Sequence, residues 1–262
     1  MNFKIGTWNI SEGVTAEWNL TDGVTNNGTY VETDLIKQIT KKINESDVDI
    51  ICFQEFPVEI NNKELLKDKI YSETKLKYSV MYDTYPSFLF DGGKIGVCLF
   101  SKFPITYEEK HLFFNPDLTK VSKSGKINHS FDKGIILAKL ELPEDELTII
   151  TGHAIRFRPF DKEAEDYPES YKPLSDLILN NISNKLIALG DFNTTDLFSL
   201  LPNIKDKVVD NVNGSTTIDN FESGKAGRKL DYILTTPNIS VINVEKINNL
   251  SDHYLCVAEI NI

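Results

Sequence analysis

The sequence has few cysteines, and the three present, Cys52, Cys98 and Cys256, each lie inside an apolar stretch. They are far apart and lack the paired spacing of a zinc site, which excludes a thiolate metal centre and a small disulfide framework. An odd number of unclustered cysteines is typical of a reducing compartment. We therefore interpret all three as core residues.

Long hydrophobic runs are also absent. No stretch approaches the ~18 apolar residues of a membrane-spanning helix. The N-terminus begins directly with strand-like residues instead of the apolar segment of a signal peptide. We predict a cytoplasmic protein without stable membrane association, unless a leader was removed from the chain.

Arginine is scarce: Arg156, Arg158 and Arg228 are the only three among 28 basic residues, which face 39 acidic ones and leave a net charge of -11. This balance argues against a protein that coats nucleic acid non-specifically. It does not exclude a nuclease, because a bound cation reverses the local charge at a site. All three arginines lie close in sequence to candidate catalytic residues.

Hydrophobic periodicity predicts secondary structure along the whole chain of 262 residues. Helices are predicted at 31–46, 62–75, 161–182 and 196–201, strands at 48–54, 95–101, 105–113, 134–142, 147–153, 186–190, 230–236, 240–247 and 254–261, and a polar, mobile loop at 115–130. Two strand-rich halves with few helices favour two β-sheets stacked face to face, with helices outside. We predict one domain over residues 1–262, because the motifs described next span most of the chain.

Polar residues follow several of the apolar runs that we interpret as buried strands. Asn9 follows the first run, Glu55 the second, and Asp191 and Asn193 follow Leu186–Leu189. A buried carboxylate is costly unless something pairs with it. A divalent cation is the simplest partner, and an all-oxygen set of ligands suits Mg²⁺ or Mn²⁺ better than Zn²⁺.

Five blocks of sequence, taken in order, resemble the endonuclease/exonuclease/phosphatase superfamily. They are Thr-Trp-Asn-Ile at 7–10, Phe-Gln-Glu-Phe at 53–56, Thr-Gly-His-Ala at 151–154, Gly-Asp-Phe-Asn at 190–193, and Lys-Leu-Asp-Tyr-Ile-Leu at 229–234 with Ser-Asp-His at 251–253. Each block alone is also compatible with a turn or a solvated strand end. The resemblance covers essentially the whole chain and implies the deoxyribonuclease I-like α/β fold, a four-layer sandwich of two packed mixed β-sheets with helices on the outer faces.

The resemblance also implies roles for individual residues. Glu55 is expected to be the principal metal ligand, with Asn9 and Asp252 close to the metal. His253 is expected to deprotonate the attacking water, oriented by the carboxylate of Asp231. Asp191 and Asn193 are expected to position the nucleophile and to bind phosphoryl oxygens. These roles describe hydrolysis of a phosphoester by in-line attack of water.

His153 separates this chain from part of the superfamily. In the branch that resembles apurinic-site endonucleases the position is a tyrosine, whereas a histidine is typical of the deoxyribonuclease I, sphingomyelinase and inositol-phosphatase branches. There it serves as a phosphate ligand or as a general acid, although a structural histidine at a strand end is the simpler alternative. In the deoxyribonuclease I branch a glutamate pairs with this histidine, but residues 92–98 contain no acid.

The substrate is less constrained than the reaction. Arg156 and Arg158 are candidate phosphate-binding residues, because guanidinium groups suit bidentate phosphate recognition; exposed, solvated arginines are the alternative. Our first hypothesis is a monomeric nuclease, supported by the lysines of 115–130. The second is an enzyme for a small or lipid-derived phosphoester, sphingomyelinase-like or inositol-phosphatase-like, with 88–90 or 112–114 as an apolar tip, although both clusters read more simply as core strand. The third is a binding module without catalysis, which the full set of matched positions disfavours.

Overall fold

The structure is a computed structural model that describes residues 1–13, 34–59, 65–87, 92–123, 125, 127–212, 214, 216–218, 227–247 and 251–262. The parts of the predictions that fall at 31–33, 62–64, 88–90 and Lys126 lie outside this set. Its architecture is two six-stranded mixed β-sheets packed face to face, with helices on their outer sides. The predicted α/β sandwich is therefore confirmed.

Fourteen strands are described: twelve form the two six-stranded sheets, and two form a separate two-stranded sheet. They are β1 (Asn2–Asn9), β2 (Ile50–Glu59), β3 (Tyr78–Pro86), β4 (Lys94–Ser101), β5 (Ile105–Leu112), β6 (Thr119–Val121), β7 (Ile127–His129), β8 (Gly134–Glu141), β9 (Glu146–His153), β10 (Leu186–Asp191), β11 (Val209–Asp210), β12 (Asp231–Thr235), β13 (Ser240–Ile247) and β14 (Leu255–Asn261). The first sheet has the order β13-β14-β1-β2-β4-β3, the second has the order β11-β12-β10-β9-β8-β5, and β6 and β7 form the two-stranded sheet.

The two sheets share one pattern of strand pairing. Each has a central parallel pair, β1 with β2 and β9 with β10, and all the other neighbours within each sheet are antiparallel. Parallel strands end at the same edge of a sheet. The polar residues that follow the apolar runs of the sequence consequently lie toward the carboxyl ends of β1, β2, β9 and β10.

The core is divided into a layer between the sheets and a layer outside each sheet. Side chains of both sheets meet in the middle layer, for example Ile5, Leu99, Ile149 and Leu189. Strand β10 is buried along its whole length, which explains its continuous apolar sequence, since a strand covered on both faces needs no polar alternation. The three cysteines are buried and free, which confirms their prediction as core residues.

Four α-helices are described, and they cover the outer faces of the sheets. They are α1 (Asp34–Ser46), α2 (Leu65–Glu73), α3 (Lys172–Asn180) and α4 (Leu197–Leu200). Ile39 and Ile43 of α1, with Leu66 and Ile70 of α2, pack on the first sheet. Leu174 and other residues of α3 and α4 pack on the second sheet. Together with the sheets, these helices form the four predicted layers.

The predicted helix at 161–182 is wrong in its first half. The α-helix begins only at Lys172, and short 3₁₀ turns occupy 158–160, 164–166 and 168–171. Pro168 explains the difference, because proline has no N–H to donate and disfavours helical geometry at the residue before it. Tyr167 accordingly has φ -137° and ψ 56°.

The prediction of a loop without strands at 115–130, described above as polar and mobile, is also wrong in its secondary structure. Strands β6 and β7 pair there as an antiparallel hairpin, with Thr119 opposite His129. The hairpin is anchored by side chains at its base: the hydroxyl of Ser130 donates to Asn115 Oδ1 at 2.6 Å and accepts from the backbone N–H of Leu118 at 2.8 Å. Sequence periodicity also missed β3, whose exposed and buried residues do not alternate regularly.

Candidate active site

The carboxyl ends of β1, β2, β9 and β10 meet across the interface between the sheets. In the strand register Asn9 lies opposite Gln54, and Asp191 lies opposite His153. The Asn9 side chain donates from Nδ2 to Asp191 Oδ2 at 3.1 Å, so one hydrogen bond joins the two sheets at this rim. The structure thus brings together residues that are 182 positions apart.

Glu55 owes its position to a bulge in β2. Phe53 pairs with Cys98 and Phe56 with Gly96, so Gln54 and Glu55 together face one residue of β4. Glu55 has φ 52°, a left-handed conformation that is unusual for glutamate. A bulge redirects a side chain at a functional edge. The Glu55 carboxylate is one quarter exposed, and its Oε1 lies 3.8 Å from His153 Nε2.

Asp191 is buried at the centre of the cluster. Its Oδ1 accepts from the backbone N–H of Asn193 at 3.0 Å, and its Oδ2 lies 3.6 Å from His153 Nε2 and 3.7 Å from His253 Nε2. Burial, reinforced by the charge of Asp231, raises the pKa of Asp191 to about 7, although His253 and the hydrogen bonds act in the opposite direction. Asp191 is therefore an acceptor held between two imidazoles.

Two residues beside Asp191 fix the turn that carries it. Gly190 has φ 150°, and a Cβ there would stand 2.1 Å from the carbonyl oxygen of Gly152, so only glycine allows β9 and β10 to approach this closely. Asn193 has φ 49°, and its Nδ2 donates to the carbonyl of Ala154 at 3.0 Å. The side-chain nitrogen of Asn193 thus fixes the loop after β9.

Asp231 and His253 form a buried pair. The Nδ1 of His253 lies 2.9 Å from Asp231 Oδ2, and both side chains are almost fully buried. Burial opposes a charge on His253, but the carboxylates of Asp231 and Asp191 outweigh it and raise the pKa of the imidazole to about 10. Ser251 places the histidine, because its hydroxyl donates to the Asn9 carbonyl at 2.7 Å and accepts from the His253 N–H at 3.2 Å.

His153 has different neighbours from those of His253. Its Nδ1 lies 3.3 Å from the Tyr85 hydroxyl and 3.4 Å from Lys133 Nζ, whereas the carboxylates of Glu55 and Asp191 lie near its Nε2. Burial lowers the pKa of His153 well below its usual value, and the charges of Lys133, His253 and Arg156 lower it further. Among the described residues, a phenol and an ammonium group thus lie beside Nδ1 of His153.

Tyr85 and Lys133 were not predicted from the sequence as site residues. Tyr85 lies near the end of the missed strand β3, and Lys133 directly precedes β8. Lys133 precedes its strand, whereas Asn9, Glu55 and Asp191 follow apolar runs, so the pattern that identified those residues does not single it out.

A cleft of about 400 Å³ opens over this cluster. Asn9, Glu55 and Asp252, the three predicted metal ligands, all line it, as do Asp191 and Asn193. Their donors are carboxylate and amide oxygens, the groups that hard divalent cations prefer, so the residues present fit such an ion. The ligand atoms of Asp191, Asp231 and His253 also lie within 4.8 Å of one another, but the 2.9 Å contact between two of them is a hydrogen bond, which makes that group the weaker candidate.

The basic residues divide between the cleft and the surface. Arg156 and Arg228 line the cleft with Lys133. Arg158 does not line it; its side chain is exposed and its Nε lies 3.4 Å from Glu163 Oε2. Of the two arginines predicted to bind substrate, the structure therefore brings only one to the site.

The hairpin of β6 and β7 forms one wall of the cleft, but not through its lysines. Ile127, Asn128 and His129 line the cleft, whereas Lys120 pairs with Asp161 at 2.7 Å outside it, and Lys123 does not line it. The described lysines of 115–130, which supported the nuclease hypothesis, therefore do not line the cleft. No described helix is long and apolar enough to cross a membrane. In the segment 112–114, proposed from sequence as an apolar tip, Phe113 is buried, whereas Leu112 and Phe114 are exposed.

Comparison with known proteins gives the same result at the level of the fold. Residues 6–253 match the family model described as "Endonuclease/Exonuclease/phosphatase family". A sequence search of curated proteins finds no match. A family protein from Leptotrichia buccalis superposes with a TM-score of 0.69 at 18% identity, covering 99% of this chain and 100% of its own.

Two further structures have more specific titles. The mannosyl-6-phosphatase Bt3783 of Bacteroides thetaiotaomicron has a TM-score of 0.65 at 12% identity, covering 99% of this chain and 100% of its own. The D. rerio TDP2 "complexed with single strand DNA product" has a TM-score of 0.63 at 12% identity, covering 100% of this chain and 99% of its own. At these identities the likeness shows a shared fold, and the two titles name different substrates.

Proposed function

The chain belongs to the endonuclease/exonuclease/phosphatase family, and from this premise we propose that it hydrolyses phosphoesters by in-line attack of water, assisted by Mg²⁺ or Mn²⁺. The observation that carries the proposal is the convergence of two unlike groups in one cleft. Asn9, Glu55 and Asp252, which carry oxygen donors, line the cleft, and so does His253, whose Nδ1 contacts Asp231 behind it. Together they suit a cation and a proton transfer at a single phosphate.

In this proposal Glu55, Asn9 and Asp252 hold the cation. When bound, the cation supplies a Lewis acid that offsets negative charge on the phosphoryl group and lowers the pKa of a nearby water. Glu55 is suited to the central position, since the bulge in β2 points its carboxylate into the cleft while the strand on either side stays paired.

His253 is proposed to accept a proton from the attacking water at Nε2. Its Nδ1 faces Asp231, which fixes the tautomer and stabilises the imidazolium. The pKa of about 10 is that of the ring beside uncompensated carboxylates, so the role requires that positive charge in the cleft offset them. Asp191 and Asn193 position the water and the phosphoryl oxygens, and His153 donates a hydrogen bond to the phosphoryl group.

The shape of the cleft favours a compact phosphoester. Three cations, Lys133, Arg156 and Arg228, lie around one volume of about 400 Å³, and the wall next to them includes the apolar side chains of Ile127 and Ile218. A long polyanion would need basic residues spread along its path. We therefore propose a small phosphoester, with an organic group against the apolar wall, as the preferred substrate.

Single-stranded nucleic acid is the second candidate. Phe160 and Arg156 both line the cleft, and aromatic rings with guanidinium groups are a combination used to stack bases. The end of a strand could enter the cleft in the same way as a small ester. We propose that the protein acts as a monomer of one domain, since the proposed catalytic groups all come from one chain.

One panel of substrates tests the proposal. Wild-type protein is assayed with Mg²⁺ or Mn²⁺ on p-nitrophenyl phosphate, bis-p-nitrophenyl phosphate, sugar phosphates, sphingomyelin, and DNA and RNA oligonucleotides, each repeated with EDTA. We expect metal-dependent hydrolysis of a small ester. Hydrolysis restricted to oligonucleotides supports the second candidate, and the absence of any metal-dependent hydrolysis across the panel contradicts the proposed function.

A further inference from the structure

Lys133 is a buried cation that forms no ion pair with any residue the structure describes. Its side chain is 7% exposed, yet among the described residues no carboxylate oxygen lies within 4 Å of its ammonium group. The ammonium group contacts the face of Tyr85, with Nζ 3.4 Å from the ring centroid, and His153, with Nζ 3.4 Å from Nδ1. Neither group carries a negative charge that would neutralise the ammonium group, as a carboxylate does.

The surroundings of Lys133 make the charge harder to keep. Burial lowers the pKa of Lys133 to about 8, and Arg156 lowers it further, against the more distant carboxylates of Glu55, Asp191 and Glu12. An unpaired buried charge destabilises a fold. Lys133 also lines the cleft together with Arg156 and Arg228, so an anion that enters the cleft could contact its ammonium group.

We propose that Lys133 is a catalytic residue of this site, whose ammonium group binds a non-bridging oxygen of the substrate phosphoryl group beside the imidazole of His153. The proposal rests on the proposed function, because it takes the bound anion to be the phosphate of the ester. Lys133 and His153 contact different oxygens of one phosphate. A phosphoryl group is the anion that fits, since it offers several oxygens to donors that converge from different strands.

Tyr85 is the positioning residue for this ammonium group. Its ring is 5% exposed and lies beneath Nζ, and an aromatic face attracts a cation without neutralising it. A carboxylate in the same place would pair with Lys133 and repel a phosphate. The aromatic ring therefore keeps the ammonium group in place and available to the substrate.

The test measures phosphate binding separately from turnover. Inorganic phosphate is titrated by calorimetry, in buffer with MgCl₂, into wild-type protein and into K133M, K133R and K123M. Lys123 is the matched control, since it is an exposed lysine that does not line the cleft. We expect K133M to bind phosphate at least tenfold more weakly, K133R to recover most of that loss, and K123M to bind within about twofold of wild type. Equal binding by K133M and wild type overturns the proposal.

Folding and the proposed function are checked by independent readouts. K133M removes an unpaired charge and keeps the length of the side chain, so its Tm without phosphate should equal or exceed that of wild type. Phosphate should then raise the Tm of wild type but not that of K133M. If K133M does not fold, K133Q is used in both measurements and must show the same loss.

The two proposals fail in different ways. If the wild type hydrolyses phosphoesters and K133M binds phosphate as tightly as the wild type, only the role of Lys133 is contradicted. If the wild type hydrolyses none of the phosphoesters, but K133M binds phosphate more weakly than the wild type, the proposed function is contradicted and Lys133 remains an anion ligand.

Discussion

Replacing His253 with alanine should affect both stability and catalysis, because it leaves Asp231 buried without its partner. Asp231 is fully buried, its Oδ2 lies 2.9 Å from His253 Nδ1, and its Oδ1 has no hydrogen-bond partner among the described residues. Removing one member of a buried ion pair costs about 3–5 kcal/mol. We expect the His253→Ala substitution to lower the free energy of unfolding by about this amount.

Asp231→Asn should be milder, since an amide keeps the shape and can still hydrogen-bond the imidazole. Its expected loss is about 1–3 kcal/mol. The double variant D231N/H253A removes both charges, so it should be more stable than H253A alone. Urea unfolding of the three variants measures this coupling between the two residues.

The same variants test the catalytic role. Losing a general base lowers kcat by a factor on the order of 10² to 10⁴, which corresponds to about 2.7–5.4 kcal/mol of transition-state stabilisation. D231N should reproduce much of that loss, and the double variant should be little worse than H253A. The assay is steady-state hydrolysis of a chromogenic phosphoester. Asp210→Asn is the control, because it breaks a similarly enclosed ion pair, with Lys229, that does not line the cleft.

Two results together would refute this reasoning. One is a double-variant defect in kcat equal to the product of the two single defects, which means that the residues act independently. The other is an H253A variant that unfolds at the same urea concentration as wild type, which means that Asp231 does not depend on its partner.

Three further predictions concern other parts of the chain. Glu55→Gln should abolish metal-dependent turnover and weaken Mg²⁺ binding in calorimetry while circular dichroism stays unchanged; wild-type affinity contradicts the assignment. Arg156→Gln should raise KM for a phosphoester about tenfold, whereas Arg158→Gln, whose side chain faces Glu163, should change it less than twofold. Asp49→Asn should lower stability by about 1–3 kcal/mol at pH 7, because hydrogen bonds from two lysines outweigh burial and lower the pKa of Asp49. A carboxylate with a lowered pKa stabilises the fold at pH values above its unfolded pKa of about 3.9, and this stabilisation is lost as the pH falls. The difference in urea midpoint between wild type and Asp49→Asn should therefore disappear in acid.

The parts of the fold that the sequence predicts well are those whose environment is uniform. Strand β10 is buried on both faces, and its apolar run identifies it to within one residue. The residues at the rim followed from the same reasoning, since a polar group directly after a buried run has to lie at the edge of a sheet. Asn9, Glu55, His153 and Asp191 all lie there.

The parts that the sequence missed depend on distant partners. The hairpin of β6 and β7 is held by the hydrogen bond between Ser130 and Asn115, and nothing in the periodicity of the segment indicates it. Lys133 and Tyr85 gain their importance only from contact with His153. A buried lysine and an exposed one look alike in sequence until the strands that surround them are known.

The two sheets contribute mostly opposite charges to the cleft, and this division suits the proposed binding of both a cation and an anion. The carboxylates of Glu55 and Asp252 come from β2 and from the residues before β14, both in the first sheet. The cations Lys133, Arg156 and Arg228 flank β8, β9 and β12 of the second sheet.

Asp191 is the exception that connects the two sides, because it belongs to the second sheet but accepts a hydrogen bond from Asn9 of the first. A metal ion held by the first sheet and a phosphate held by the second would therefore meet where the sheets are joined. The reacting phosphorus needs a metal on one oxygen and cationic donors on the others. In the proposed mechanism, the first sheet would supply the metal ligands and the second sheet the cationic donors.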